Sequence, residues 1–177
     1  MDYKTKYLKY KNKYINLLLK GGLLENTQQK TNILYISLDL NKEDTKLLVE
    51  YASRPDICII PETNRSIFCV HCTFLWVGKQ SINLPTNVLP NHMVELTIDK
   101  LIVRKIDGAS AYKVAQIKNI TTNEIINKLD GVAHITAIIP KNKKPVISNE
   151  FVGLNDDSVI IHNINPFVIT TTCVYKT

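Results

Sequence analysis

The chain has 177 residues, 45% of them hydrophobic, and a formal net charge of +6, which fits one domain plus an appendage with enough apolar material for a core. Lys4, Lys6, Lys9, Lys11, Lys13 and Lys20 crowd the start, so the body is nearly balanced and its charge alone does not argue for nucleic acid. The lack of a continuous apolar run in that leader argues against a secretory signal or a membrane span, and predicts a protein kept in a reducing compartment with no membrane partner.

Residues 1–22 read as a basic amphipathic leader. Tyr3, Tyr7, Tyr10 and Tyr14 recur at steps of four, three and four, and Leu17 and Leu18 continue that helical face before Gly21-Gly22 ends it. The body follows as alternating elements. Residues 33–39 are apolar and β-rich, and Asn41 is placed to cap a helix over 42 to about 52, with Asp44 in its first turn and Leu47, Leu48 and Tyr51 facing inward. Arg54-Pro55-Asp56 closes that helix. Strand-like runs are predicted at 57–60 and 67–77, then a loop over 83–91 containing Pro85 and Pro90.

A hairpin over 93–104 and 110–117 turns at Lys105-Ile106-Asp107-Gly108-Ala109. Thr121-Thr122-Asn123-Glu124 starts a short helix ending near Asp130-Gly131, and a strand runs over 132–139. Pro140 to Pro145, with Lys141, Lys143 and Lys144, reads as an exposed loop, and two strands at 158–163 and 167–175 finish the chain. Many strands and few helices make the fold class α+β.

Chemistry concentrates in two triplets. Val70-His71-Cys72-Thr73-Phe74 and Ala133-His134-Ile135-Thr136-Ala137 repeat one pattern, using two of only four histidines. On a strand, residues two apart point the same way, so each triplet presents an imidazole and a hydroxyl about 6.5 Å apart along the chain. Two such pairs facing one another make a four-sided pocket for a phosphate. Its imidazoles divide the work of base and acid near neutral pH, while Thr73 and Thr136 donate hydrogen bonds to the phosphate oxygens. The ordinary reading of a strand histidine is a half-buried packing residue, and that reading is kept for His92 and His162, which lack the partner hydroxyl.

Cys58, Cys69, Cys72 and Cys173 form neither a disulfide framework nor a zinc pattern. In a strand Cys69 and Cys72 point to opposite faces, so no shared metal is expected and Cys69 lies on the face of His71 and Thr73. Cys72, Phe74, Ile135 and Ala137 then point into the core. Trp76 joins them unless a bulge intervenes, in which case it is a base-stacking platform.

Paired hydrophobic-His-x-Thr-hydrophobic motifs are the signature of the 2H phosphoesterase superfamily, and residues 31–177 resemble most the cyclic phosphodiesterase domain of fungal-type tRNA ligases. The likeness rests on the two motifs and on the opening strand and helix. The long hairpin, the run from Asn127 into His134 and the loop Lys144-Pro145-Val146-Ile147-Ser148-Asn149 extend it. The motifs lie closer together here than in those enzymes, which implies trimmed loops.

The resemblance implies a bilobal fold of two antiparallel-sheet lobes around a central cleft. It implies catalysis by His71 and His134 without a cofactor or metal, His71 as acid and His134 as base. The substrates it implies are RNA ends or small (oligo)nucleotides: 2′,3′-cyclic phosphate ends opened to 2′-phosphates, or alternatively 2′,5′-oligoadenylate or cyclic dinucleotide messengers. A noncatalytic nucleotide or RNA binder on the same fold is the reading from another class. The leader resembles a Tyr/Lys-rich, Gly-Gly-terminated segment of giant DNA virus proteins, which implies a viral source and an address tag for virus factory or virion; the alternative is an amphipathic helix that docks on the body or on RNA, and the expected protein is a monomer in host cytoplasm.

Overall fold

A computed structural model of the chain describes residues 33–77, 88–128 and 131–177. The leader, residues 1–22, lies outside the described residues, as does most of the loop expected over 83–91. The first strand, β1 (Tyr35–Leu40), alternates: Ile36 and Leu38 are buried in the main core while Tyr35, Ser37 and Asp39 take the other face.

Helix α1 (Lys42–Ala52) begins where the sequence places it, because the Asn41 side chain accepts the Asp44 N–H at 2.8 Å and donates to the Asp44 carboxylate at 2.8 Å. Its inward stripe is Leu48 and Ala52, four apart, whereas Leu47 is 52% exposed, about 100° round the helix from Leu48. Asn41→Ala is expected to cost about 1 kcal/mol, a fall in the thermal midpoint of about 2–4 °C. An unchanged melting curve would show that the cap contributes nothing.

The remaining strands are β2 (Arg65–Ile67), β3 (His71–Trp76), β4 (Met93–Arg104), β5 (Ser110–Asn119), β6 (His134–Thr136), β7 (Ile138–Pro140) and β8 (Val159–Lys176). Their order closes on itself as β1-β3-β6-β5-β4-β8, antiparallel at every pairing of the ring, with β2 and β7 in a separate two-stranded sheet. The class is α+β, mostly antiparallel sheet with few helices. The expected division into two lobes, each bringing one motif to a cleft, gives way to a single closed ring in which the two motif strands are immediate neighbours, Cys72 opposite Ile135.

Two apolar clusters hold the ring. The larger gathers Ile36, Leu38, Leu48, Phe74, Tyr112 and Ile135, and the Tyr112 hydroxyl donates to the Leu48 carbonyl at 2.7 Å, fastening α1 to β5. The smaller gathers Ile102, Ala111, Ile139, Ile147, Phe151 and Val159.

Other departures have local causes. Residues 57–60 are not a strand, because Ile57 and Cys58 both spend their N–H groups on the Arg54 carbonyl. No helix forms over 121–128: the Asn119 side chain accepts from Thr121 and Thr122 at 2.8 and 3.1 Å, and Ile125 returns to bridge Lys118. The strand expected over 132–139 breaks at Ala137, whose N–H bonds Ser110 O, and the last two expected strands are one, β8. Pro166, which has no N–H to give, sits where Ile98↔Phe167 is followed by Lys100↔Asn163, a bulge opposite Asp99.

Candidate functional site

The register of β3 on β6 assembles the two triplets. With Cys72 opposite Ile135 in an antiparallel pair, His71 stands against Thr136 and Thr73 against His134, neighbouring Cα atoms about 5 Å apart. Cys72 and Ile135 are fully buried in the larger core, so the four motif side chains share the opposite face. Each imidazole thus has one hydroxyl two residues along its own strand and the other directly across. All four sequence-predicted site residues are brought together.

Neighbouring strands extend this face. On β1, Asp39 lies opposite His71, Ser37 opposite Thr73 and Tyr35 opposite Trp76. On β5, Lys113 lies opposite His134. These residues escaped the sequence reading, although the alternation Tyr35, Ser37, Asp39 was its available signal.

Two bulges set the aim of β3. Between Ile67↔Ile138 and Cys72↔Ile135 one chain has four residues and the other two, and the surplus is taken up at Cys69, whose φ of +56° lies in the left-handed region. Cys69 therefore does not share the face of His71. It is buried in the larger core, its N–H on the Thr136 carbonyl at 2.8 Å, and burial pushes its thiol up to about 12. The second bulge lies between Ile36↔Leu75 and Ser37↔Thr73. Phe74 is the extra residue, Phe74 and Leu75 are both buried, and Trp76 is turned out of the core onto the face of His71, 53% exposed. Its expected place in the core is thereby corrected.

The two imidazoles have different surroundings. His134 is buried, and its Nδ1 is 2.8 Å from the Val132 carbonyl. A carbonyl only accepts, so Nδ1 carries the proton and the neutral ring has its lone pair on Nε2. His71 is held below its ordinary value of 6.5, chiefly by burial, against the Asp39 carboxylate, which raises it, while Lys176 lowers it. Asp39 is itself fixed, accepting the Ser37 hydroxyl at 2.6 Å and the Lys176 ammonium at 2.6 Å. Thr136 is held as well: the buried Ser148, in the 3-10 helix Pro145–Glu150, donates from Oγ to Thr136 Oγ1 at 3.0 Å. That serine lies in the loop singled out from the sequence.

This arrangement has a signed consequence. A histidine whose folded value is depressed is protonated first in the unfolded chain, so its contribution to stability is complete above 6.5 and is lost as pH falls through the window below it. In a histidine-ring NMR titration, Asp39→Asn is expected to lower the His71 value further and Lys176→Met to raise it. Shifts of the opposite sign would contradict the described network.

The other candidates stay apart. His162, on β8, pairs with Leu101 of β4, and His92 Nδ1 accepts the Leu89 N–H in a turn. Lys141, Lys143 and Lys144 are exposed, and the open concavities of about 590 and 480 Å3 that they help line contain no motif residue. Among the described residues no three His, Cys, Asp or Glu side chains converge as a metal site would need. Nor is any helix there long and apolar enough to cross a membrane.

No family model matches the sequence, and no curated protein matches it. Among solved structures it is similar to the crystal structure of a fungal RNA kinase, at 14% identity and a TM-score of 0.53 over 86% of this chain and 47% of that one. The two share a fold. This chain thus corresponds to about half of the fungal protein's length.

Proposed function

We propose that this protein hydrolyses 2′,3′-cyclic phosphate ends of RNA to 2′-phosphates without a metal. The observation that carries the reading is the square of side chains on β3 and β6, in which each histidine faces the other motif's threonine. A cyclic phosphodiester seated there has a proton acceptor, a proton donor and two hydroxyl donors within one strand spacing. The fold shared with a fungal RNA kinase supports an RNA-processing setting, and the two His-x-Thr motifs by which residues 31–177 resemble the 2H phosphoesterases support the reaction.

In the mechanism, His134 Nε2 takes a proton as water attacks phosphorus, a role supported by the Nδ1 proton held on Val132. A bond forms from the water oxygen to phosphorus and the bond from phosphorus to the 3′-oxygen breaks, that oxygen receiving the proton of a cationic His71. The 2′-ester bond remains. Thr73 and Thr136 hold the nonbridging oxygens through both changes. Burial disfavours the charged form of His71 in the free protein, but a bound phosphate anion and the nearby Asp39 both favour it, so the acid is charged by the arrival of its substrate.

The test is a panel, each member incubated in EDTA: an RNA ending in a 2′,3′-cyclic phosphate, 2′,5′-triadenylate, and a cyclic dinucleotide. Conversion of the first to a 2′-phosphomonoester, with the other two left intact, supports the reading. Faster cleavage of either messenger moves the substrate to that class, and tight RNA binding with no turnover makes the protein a noncatalytic binder.

A further inference from the structure

We infer that Trp76, backed by Tyr35, is a stacking platform for the nucleobase of the nucleotide whose phosphate the paired motifs hold, which makes Trp76 a specificity-determining residue. The inference rests on the phosphodiesterase reading and narrows its substrate to esters carrying a base. Unbroken alternation along β3 would have put this indole in the core with Cys72 and Phe74. The bulge at Phe74 instead places a large apolar side chain in water, on the same face as His71 and Thr73. Bulges beside sites re-aim side chains in this way.

The indole is also preorganised. The Tyr35 ring stacks on it with centroids 5.7 Å apart and planes 13° from parallel, and the same Tyr35 ring lies 6.0 Å from the His71 ring. An aromatic surface therefore runs unbroken from the anion site to an indole more than half exposed. That is the combination a nucleotide presents in reverse, a charged phosphate joined by a sugar to a flat ring. Stacking needs no base-edge contacts, so purines are expected to bind better than pyrimidines through ring area alone.

Trp76 is the single tryptophan of the chain, so its fluorescence reports the platform without labelling. Adenosine 2′-monophosphate is expected to quench it and glycerol 2-phosphate, which has no base, to leave it unchanged. In turnover, Trp76→Ala is expected to raise KM for adenosine 2′,3′-cyclic phosphate by about five- to a hundredfold with kcat little altered, and to leave glycerol 1,2-cyclic phosphate unaffected. Trp76→Phe is expected to restore most of the loss. Quenching by neither or by both phosphates, or an equal loss on the base-free ester, overturns the platform. Hydrolysis without quenching removes the platform and keeps the phosphodiesterase; quenching without hydrolysis does the reverse.

Discussion

His71→Ala and His134→Ala are each expected to lower kcat on a 2′,3′-cyclic phosphate by about 10²–10⁴-fold, the range that a positioned acid or base supplies. Because proton removal and proton delivery belong to one displacement, the double variant is expected to lose little more than the worse single one. The apolar core takes Cys72 and Ile135 from the opposite face and includes neither imidazole, so the circular dichroism of each variant is expected to match the parent. Additive losses in the double variant would separate the two imidazoles into independent roles. Near-normal turnover in both singles would put the site elsewhere.

Thr73→Val and Thr136→Val are expected to cost about 10²–10³-fold each in kcat, by analogy with removal of one donor to a developing oxyanion. Valine keeps the shape and suits a strand, so the loss reads the hydroxyl alone. The two variants need not be equal. Thr136 receives the Ser148 hydroxyl at 3.0 Å, which uses one of its lone pairs and leaves its own proton to be donated onward, a polarised chain that strengthens the outer bond. Steady-state kinetics on the cyclic ester checks this; a rise in KM with unchanged kcat would make the threonines ground-state binders and not charge stabilisers.

Much of this was legible because it depends on short-range rules. The Asn41 cap, the span of α1 and the limits of β4 follow from local residue types, and the structure has them where the sequence places them. The paired His-x-Thr triplets were visible as a pattern, and their side-chain direction follows from the period of two. What the sequence hid was whatever depends on pairing. A surplus residue opposite β1 cannot be seen until the partner strand is known, and it moved Trp76 from the core to the site. Another surplus took Cys69 the other way. The Asp39–Lys176 pair was hidden for a related reason, acting across a separation of 137 residues, while the role of Ser148 within the singled-out loop appears only through the 3-10 helix that follows β7. The closure of the sheet into one ring, with the two motif strands as direct neighbours and no clear division into two lobes, is likewise a matter of pairing.

The central claim is that both imidazoles meet one anion, and histidine-ring NMR titrations with and without adenosine 2′-monophosphate test it independently of turnover. Both the His71 and His134 ring values are expected to rise together when the nucleotide is bound, since a phosphate between them favours each imidazolium. A rise at only one ring, or at neither, would contradict the account.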